Sequence, residues 1–187
     1  MYSFDIIVQN YFASGRTLFL TEFFYLLTIL FDLTTPFILI VFLTSLLVYI
    51  VRNIKYSLLF LISIIVGGVS IYFLKVIFNV TRPFGGVMEV FGKSFPSGHT
   101  TIATIFFVML MYIFDDYLST QVGLSGIWRK VFNTFCTLGI LLVAFSRVYL
   151  GVHWASDVIG GVVLGALVSY ICISLFRVTL NRGKNIQ

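Results

Sequence analysis

Apolar residues run along this chain in stretches close to the roughly 20 that a helix needs to cross a bilayer core, with short polar breaks between them. Four stretches stand out: Tyr56 to Asn79, Ser97 to Tyr117, Trp128 to Val148, and His153 to Phe176. Thr34 to Val51 makes a fifth, slightly short span, with Thr35 placed to cap it and Pro36 at the first helical position, where a missing N–H does no harm. The pattern predicts an all-α, polytopic transmembrane bundle of five spans. The N-terminal third departs from it. From Arg16 to Phe31 the residues are apolar enough to cross, yet Thr17, Thr21, Tyr25, Thr28 and Asp32 recur every three or four positions and draw a polar stripe down one helical face. Together with Glu22, that stripe points to an amphipathic helix that is interfacial or half-buried. If it crosses instead, the spans number six.

Composition agrees with the pattern. A chain of 187 residues that is 59% hydrophobic and 10% charged is too apolar for an ordinary soluble domain, which makes an integral membrane protein the expectation. The first fifteen residues carry Asp5, Gln9 and Asn10 and lack a basic start before a short apolar core, so no cleavable leader is expected and the first helices serve as the insertion signal. Cys136 and Cys172 fall inside apolar runs without CxxC spacing, which makes them packing residues and not a metal or disulfide framework. The net charge of +5 does not make a nucleic-acid partner: the basic residues are scattered and not interleaved with aromatic side chains along one face.

Charge also orients the bundle. Arg52, Lys55, Arg129, Lys130, Arg177, Arg182 and Lys184 fall on one side; Arg16 and Lys93 join Lys75, Arg82 and Arg147 on the other. The positive-inside bias makes the first side cytoplasmic. Three polar islands then share the external face, although they lie far apart in sequence.

Those islands hold the candidate chemistry. The chain has two histidines, and each sits in a polar island: Pro96-Ser97-Gly98-His99, and Ser146-Arg147 through His153, with Asp157 four residues on. Lys75, then Arg82-Pro83, form the third. Three cations, two imidazoles and a carboxylate suit a phosphate ester, because phosphoryl transfer needs in-line placement and fixed positive charge on the equatorial oxygens. Lys75 and Arg82 are seven apart, close to two helical turns, so one helical face is expected to present both, with Pro83 ending the helix. An Arg fork grips two oxygens, and Lys acts as a point charge. Ser97 and Gly98 fall at the start of a span, where unpaired N–H groups and the helix dipole favour an anion. His153 and Asp157, at i and i+4, stand one turn apart, so the carboxylate can hold one ring nitrogen protonated and leave the other free.

In these residues the sequence resembles the type 2 phosphatidic acid phosphatase family, whose signature is KxxxxxxRP, PSGH and SRxxxxxHxxxD. Every signature position is matched, with twelve and forty-six residues between the motifs. The short N-terminus is more similar to the compact bacterial undecaprenyl-diphosphate phosphatases, although members of that group often carry Asp where Gly98 stands. The resemblance implies a transmembrane phosphatase domain over residues 34–187, with core motifs in 75–157, preceded by N-terminal helices over 1–33. It implies that His153 is a nucleophile forming a phosphohistidine, that His99 protonates the leaving oxygen and then activates water, and that Asp157 orients His153. Lys75, Arg82, Ser97, Gly98 and Arg147 would bind the phosphate. With three protein cations there, no metal or other cofactor is required. The implied substrate is a lipid mono- or diphosphate, with undecaprenyl diphosphate, phosphatidylglycerol phosphate and phosphatidate as candidates, in a bacterial plasma membrane with the site facing outward.

Other readings share these residues. A phosphotransferase would pass the same phosphoryl group to an acceptor in place of water. A silent lipid-phosphate-binding protein would need the cations but not a matched histidine pair. A serine hydrolase built on Ser97, His153 and Asp157 would leave Lys75, Arg82 and Arg147 unexplained. Ser146 is expected to bond backbone, Trp154 and Tyr149 to sit in an interfacial aromatic belt, and Gly161, Gly165 and the Gly67-Gly68 pair to permit close helix packing. Glu89 and Lys93 read as a solvated loop, and Asp115 and Asp116 as bland residues at the cytoplasmic end.

Overall fold

The computed structural model describes residues 2–31, 35–117 and 126–184. They form seven helices and no strand: α1 (Tyr2–Ser14), α2 (Leu18–Leu30), α3 (Thr35–Val51), α4 (Ile54–Phe78), α5 (Gly98–Tyr117), α6 (Gly126–Tyr149) and α7 (Ala155–Lys184). Four are long and apolar enough to cross a bilayer, over Ile54–Phe78, Gly98–Asp115, Gly126–Tyr149 and Ala155–Asn181, which are the four clear spans of the hydropathy pattern. The 17 residues of α3 rise roughly 25 Å, just under a hydrocarbon core of about 30 Å. At 13 residues, α2 is shorter still. The expected Thr35 cap and the stripe's Asp32 lie outside the described side chains.

Packing centres on α5, which touches α4, α6 and α7. Half of its apolar window is buried, against 28–33% for the other three. In lipid there is no hydrophobic force between helices, so close contact and hydrogen bonding must hold them. Phe60 of α4, Ile105, Phe106 and Met109 of α5, and Val168 of α7 form the main cluster, while Ile62, Ile65, Phe73, Val163 and Leu167 face outward, where lipid accepts them. Buried hydroxyls return to their own helices: Ser63 to the Leu59 carbonyl (2.7 Å), Thr104 to Thr100 (2.7 Å) and Ser169 to Gly165 (2.8 Å). Gly161 and Gly165 let α7 approach α5, since a Cβ would stand 2.9 Å from the Ser97 carbonyl at one and 2.7 Å from the Thr101 carbonyl at the other. Of the Gly67-Gly68 pair only Gly67 faces a partner, the Ile105 side chain; Gly68 has nothing near it.

Asn53 caps α4, its side-chain oxygen accepting from the Lys55 and Tyr56 N–H groups at 2.9 and 3.4 Å. The helix ends at Asn79, in the left-handed region (φ 50°) with its N–H on the Lys75 carbonyl. This corrects the expected common helical face: Lys75 lies in the last turn of α4, but Arg82 lies in the following loop. Similarly α7 begins at Ala155, so His153 belongs to the link before the span and not to the span itself.

The N-terminal helices are strapped to the motif-bearing end. Asp5 accepts from the Ser156 N–H (2.9 Å) and hydroxyl (2.8 Å). Arg16 donates to the Tyr149 and Gly85 carbonyls, both at 2.9 Å. Tyr149 is buried, its hydroxyl accepting from the Thr17 N–H at 2.9 Å, so it belongs to the core and not to an aromatic belt. The polar stripe of α2 is also not a water-facing one throughout: Thr28 is buried and points at α6.

Candidate active site

Three local structures bring the islands together. The α4 end delivers Lys75, and the loop beyond it delivers Arg82. The start of α5 delivers Ser97, Gly98 and His99. The end of α6, its link and the first turn of α7 deliver Arg147, His153 and Asp157. The charges of Arg147, Arg82 and Lys75 all act on His99, and those of Arg82, Asp157 and Arg147 act on Lys75. The titratable residues among those predicted, Lys75, Arg82, His99, Arg147, His153 and Asp157, therefore share one electrostatic neighbourhood.

Its centre is His153, 2% exposed. Nδ1 lies 3.3 Å from Asp157 Oδ2, and Nε2 lies 3.1 Å from Arg82 Nη1. A guanidinium only donates, so Nε2 is the accepting, unprotonated nitrogen and the ring proton sits on Nδ1. Burial, reinforced by the charges of Arg147, Arg82 and Lys75, holds this imidazole well below the ordinary 6.5. Asp157 is fixed by local helix chemistry: its Oδ2 accepts the Trp154 N–H at 2.9 Å, reaching back from the third helical position as in a capping box. The i, i+4 pairing was legible, but a helix start, not a continuous helical face, produces it.

The cations are anchored by backbone. Arg82 donates from Nη1 to the Val152 carbonyl (2.8 Å) and from Nε to the Gly92 carbonyl (3.1 Å). Lys75 Nζ donates to the Lys93 carbonyl and, at 3.4 Å, to that of Ser94. Lys93 and its neighbours are thus more than a solvated loop. Arg147 is 1% exposed, and its Nη1 donates to Thr28 Oγ1 at 2.7 Å. Ser146 donates to the Val143 carbonyl at 2.7 Å, a structural role. Trp154 closes the link by donating Nε1–H to the Thr81 carbonyl at 2.8 Å.

Ser97 is fully buried, and its N–H is committed to the Asp157 carbonyl at 3.0 Å, so it does not offer the backbone donor expected of it. Its Oγ accepts from Thr100 Oγ1 at 3.0 Å. The hydrogen bonds of His153 go to Ser94, Arg82 and Asp157, so the geometry does not support a Ser97 triad. A Cβ on Gly98 would meet only Ile71, at 3.9 Å. Packing within the protein therefore does not demand glycine there.

Two residues escaped the sequence reading. Ser94, fully buried, donates to Asp157 Oδ2 and stands 3.3 Å from His153 Nδ1. Thr28 reaches Arg147 from 119 positions away. Neither belongs to a motif, and only the helical spacing of Thr28 within the α2 stripe gave a hint.

A bundle of helices long and apolar enough to cross a bilayer, with one buried and two half-buried cations gathered around a neutral imidazole at one end, is the architecture of an integral membrane protein. Residues 56–180 match the PAP2 superfamily, and the chain belongs to that family. An undecaprenyl-diphosphatase of Sulfolobus acidocaldarius is 32% identical over 123 residues, covering 62% of this chain and 51% of that protein. A phosphatidylglycerophosphatase B of Bacillus subtilis is 31% identical over 93 residues (50% and 44%). A lipid A 4'-phosphatase of Porphyromonas gingivalis is 30% identical over 89 residues (47% and 32%). The chain spans about half the length, or less, of these curated relatives. The crystal structure of a transmembrane PAP2-type phosphatidylglycerolphosphate phosphatase from B. subtilis superposes with a TM-score of 0.81 at 26% identity, over 93% of this chain and 85% of that one. Aquifex aeolicus LpxE shares the fold, with a TM-score of 0.72 at 22% identity over 90% and 94%.

Proposed function

We propose that this chain is a metal-independent lipid phosphate phosphatase that works through a phosphohistidine on His153. The observation that carries the reading is the polarity of the His153 ring: Nδ1 is turned to Asp157, and an unprotonated Nε2 is turned to Arg82. That is the state a nucleophile needs, beside a cation placed for the phosphate it attacks. A protein that only binds anions gains nothing from such an arrangement.

In the first step the Nε2 lone pair bonds to phosphorus, the bond from phosphorus to the lipid oxygen breaks, and His99 gives its proton to that oxygen. Asp157 stabilises the ring as Nε2 acquires a substituent. In the second step His99 takes a proton from water, the hydroxide attacks phosphorus, and the nitrogen–phosphorus bond breaks to release inorganic phosphate. Lys75, Arg82 and Arg147 hold the phosphoryl oxygens throughout, with donors from the start of α5, at Gly98 and the Ser97 hydroxyl, completing the cradle.

The relatives' names support a lipid mono- or diphosphate substrate, with undecaprenyl diphosphate, phosphatidylglycerol phosphate and phosphatidate as the set to test. The charge bias supports a site on the external face of a bacterial plasma membrane. Residues 34–187 form the phosphatase proper and 1–33 a buttress, their boundary falling on residues outside those described. Purified protein with chelator present is expected to release phosphate from at least one of the three lipids and His153→Ala from none. Equal release by the two proteins would refute the reading, and transfer to an acceptor lipid without release would make the protein a transferase.

A further inference from the structure

The segment Gly92–Ser94 ties the parts of the site together. Its backbone is held from two sides: the Ser94 N–H donates to the Val80 carbonyl at 2.8 Å, while Lys75 and Arg82 donate to the carbonyls of Gly92, Lys93 and Ser94. That grip leaves the Ser94 side chain aimed at the His153–Asp157 pair. Its hydroxyl proton goes to Asp157 Oδ2, and its oxygen lies 3.3 Å from His153 Nδ1, the same distance as Asp157 Oδ2. The Nδ1 proton therefore has two acceptors in place of one, and Asp157 is held by the Ser94 hydroxyl as well as by the Trp154 N–H.

We propose that Ser94 is a positioning residue of the reaction, the third member of a Ser94–Asp157–His153 relay that fixes the Nδ1-protonated tautomer of His153 and links its orientation to the loop gripped by Lys75 and Arg82. The inference rests on His153 being the nucleophile for its kinetic consequence, but not for its structural one. A hydroxyl here suits the task for two reasons. It donates and accepts at once, so it serves both the carboxylate and the imidazole. And Ser94 is fully buried, so water cannot replace it without opening the site.

Two histidines in the whole chain make the test direct. In full-length protein labelled with 15N-histidine in detergent, His99→Gln assigns the imidazole of His153. The wild type is expected to show a protonated Nδ1 and an unprotonated Nε2, and Ser94→Ala to move the two nitrogens toward each other as the tautomers mix. Turnover should fall roughly tenfold in kcat, the scale of one lost hydrogen bond to a charged partner, with KM and inhibition by inorganic phosphate within about twofold. Ser94→Cys, similar in shape but a weak donor, should fall between and carries the same readouts if Ser94→Ala does not fold. Unchanged His153 nitrogens, or a loss expressed in KM and not kcat, would overturn the proposal. Should the wild type hydrolyse no lipid, the phosphatase reading fails while the spectra still decide the role of Ser94.

Discussion

At the scale of residues, His153 is where burial and charge act together. An unfolded imidazole takes a proton near pH 6.5, whereas the folded one resists it, because protonation would place a cation in a buried pocket beside Arg147, Arg82 and Lys75. Between those two values the unfolded chain binds more protons than the folded one, so stability falls as pH drops. The contribution is fully present above about pH 6.5 and is lost at up to about 1.4 kcal/mol per unit below it, until the folded imidazole itself titrates. Thermal unfolding in detergent at pH 7.5, 6.5 and 5.5 should show a steeper loss below pH 6.5 for wild type than for His153→Ala. Parallel curves would mean that His153 is not held neutral. The resemblance to a family signature identified this residue and its partner from sequence. It did not identify Ser94 or Thr28, because their contacts close over 63 and 119 positions, and no local periodicity records such closures.

At the scale of elements, hydropathy found the helices that lipid surrounds, since each keeps a broad apolar face outward. It was less informative where a helix earns its place by polar contact. The α2 stripe reads as amphipathic, yet its Thr28 faces the protein and Arg147. The Lys75–Arg82 spacing reads as two turns of one helix, yet Asn79 ends α4 between them, and the loop brings Arg82 back through backbone acceptors. Small residues were legible as packing sites but not individually. Gly165→Ala should destabilise by about 1–3 kcal/mol, because its Cβ would press on the Thr101 carbonyl and Thr104 and overpacking against backbone finds little relief. Gly68→Ala should be neutral or slightly stabilising, since its Cβ meets nothing and alanine favours helix. Unfolding in a denaturing detergent titration checks the pair; equal effects would contradict the α5–α7 contact described above.

At the scale of the whole molecule, one end of the bundle carries the site and the other carries cations resting on rings: Arg52 over Tyr56 at 4.3 Å and Arg177 over Tyr112 at 5.1 Å. The proposed orientation puts the second end in the cytoplasm. Phe84→Cys, at a position 95% exposed beside the site, should react with an impermeant maleimide in intact cells, and Lys130→Cys only after lysis. The reverse order would invert the topology.

In the proposed reaction the phosphoryl group passes through a covalent bond to His153. The most direct measurement is a rapid quench of the protein with a lipid phosphate labelled in its terminal phosphoryl group, followed by stability analysis of the label on the protein. The expected label survives alkali and is lost in acid, and it is present in wild type and absent in His153→Ala. An acid-stable label, or one retained by His153→Ala, would contradict this reaction.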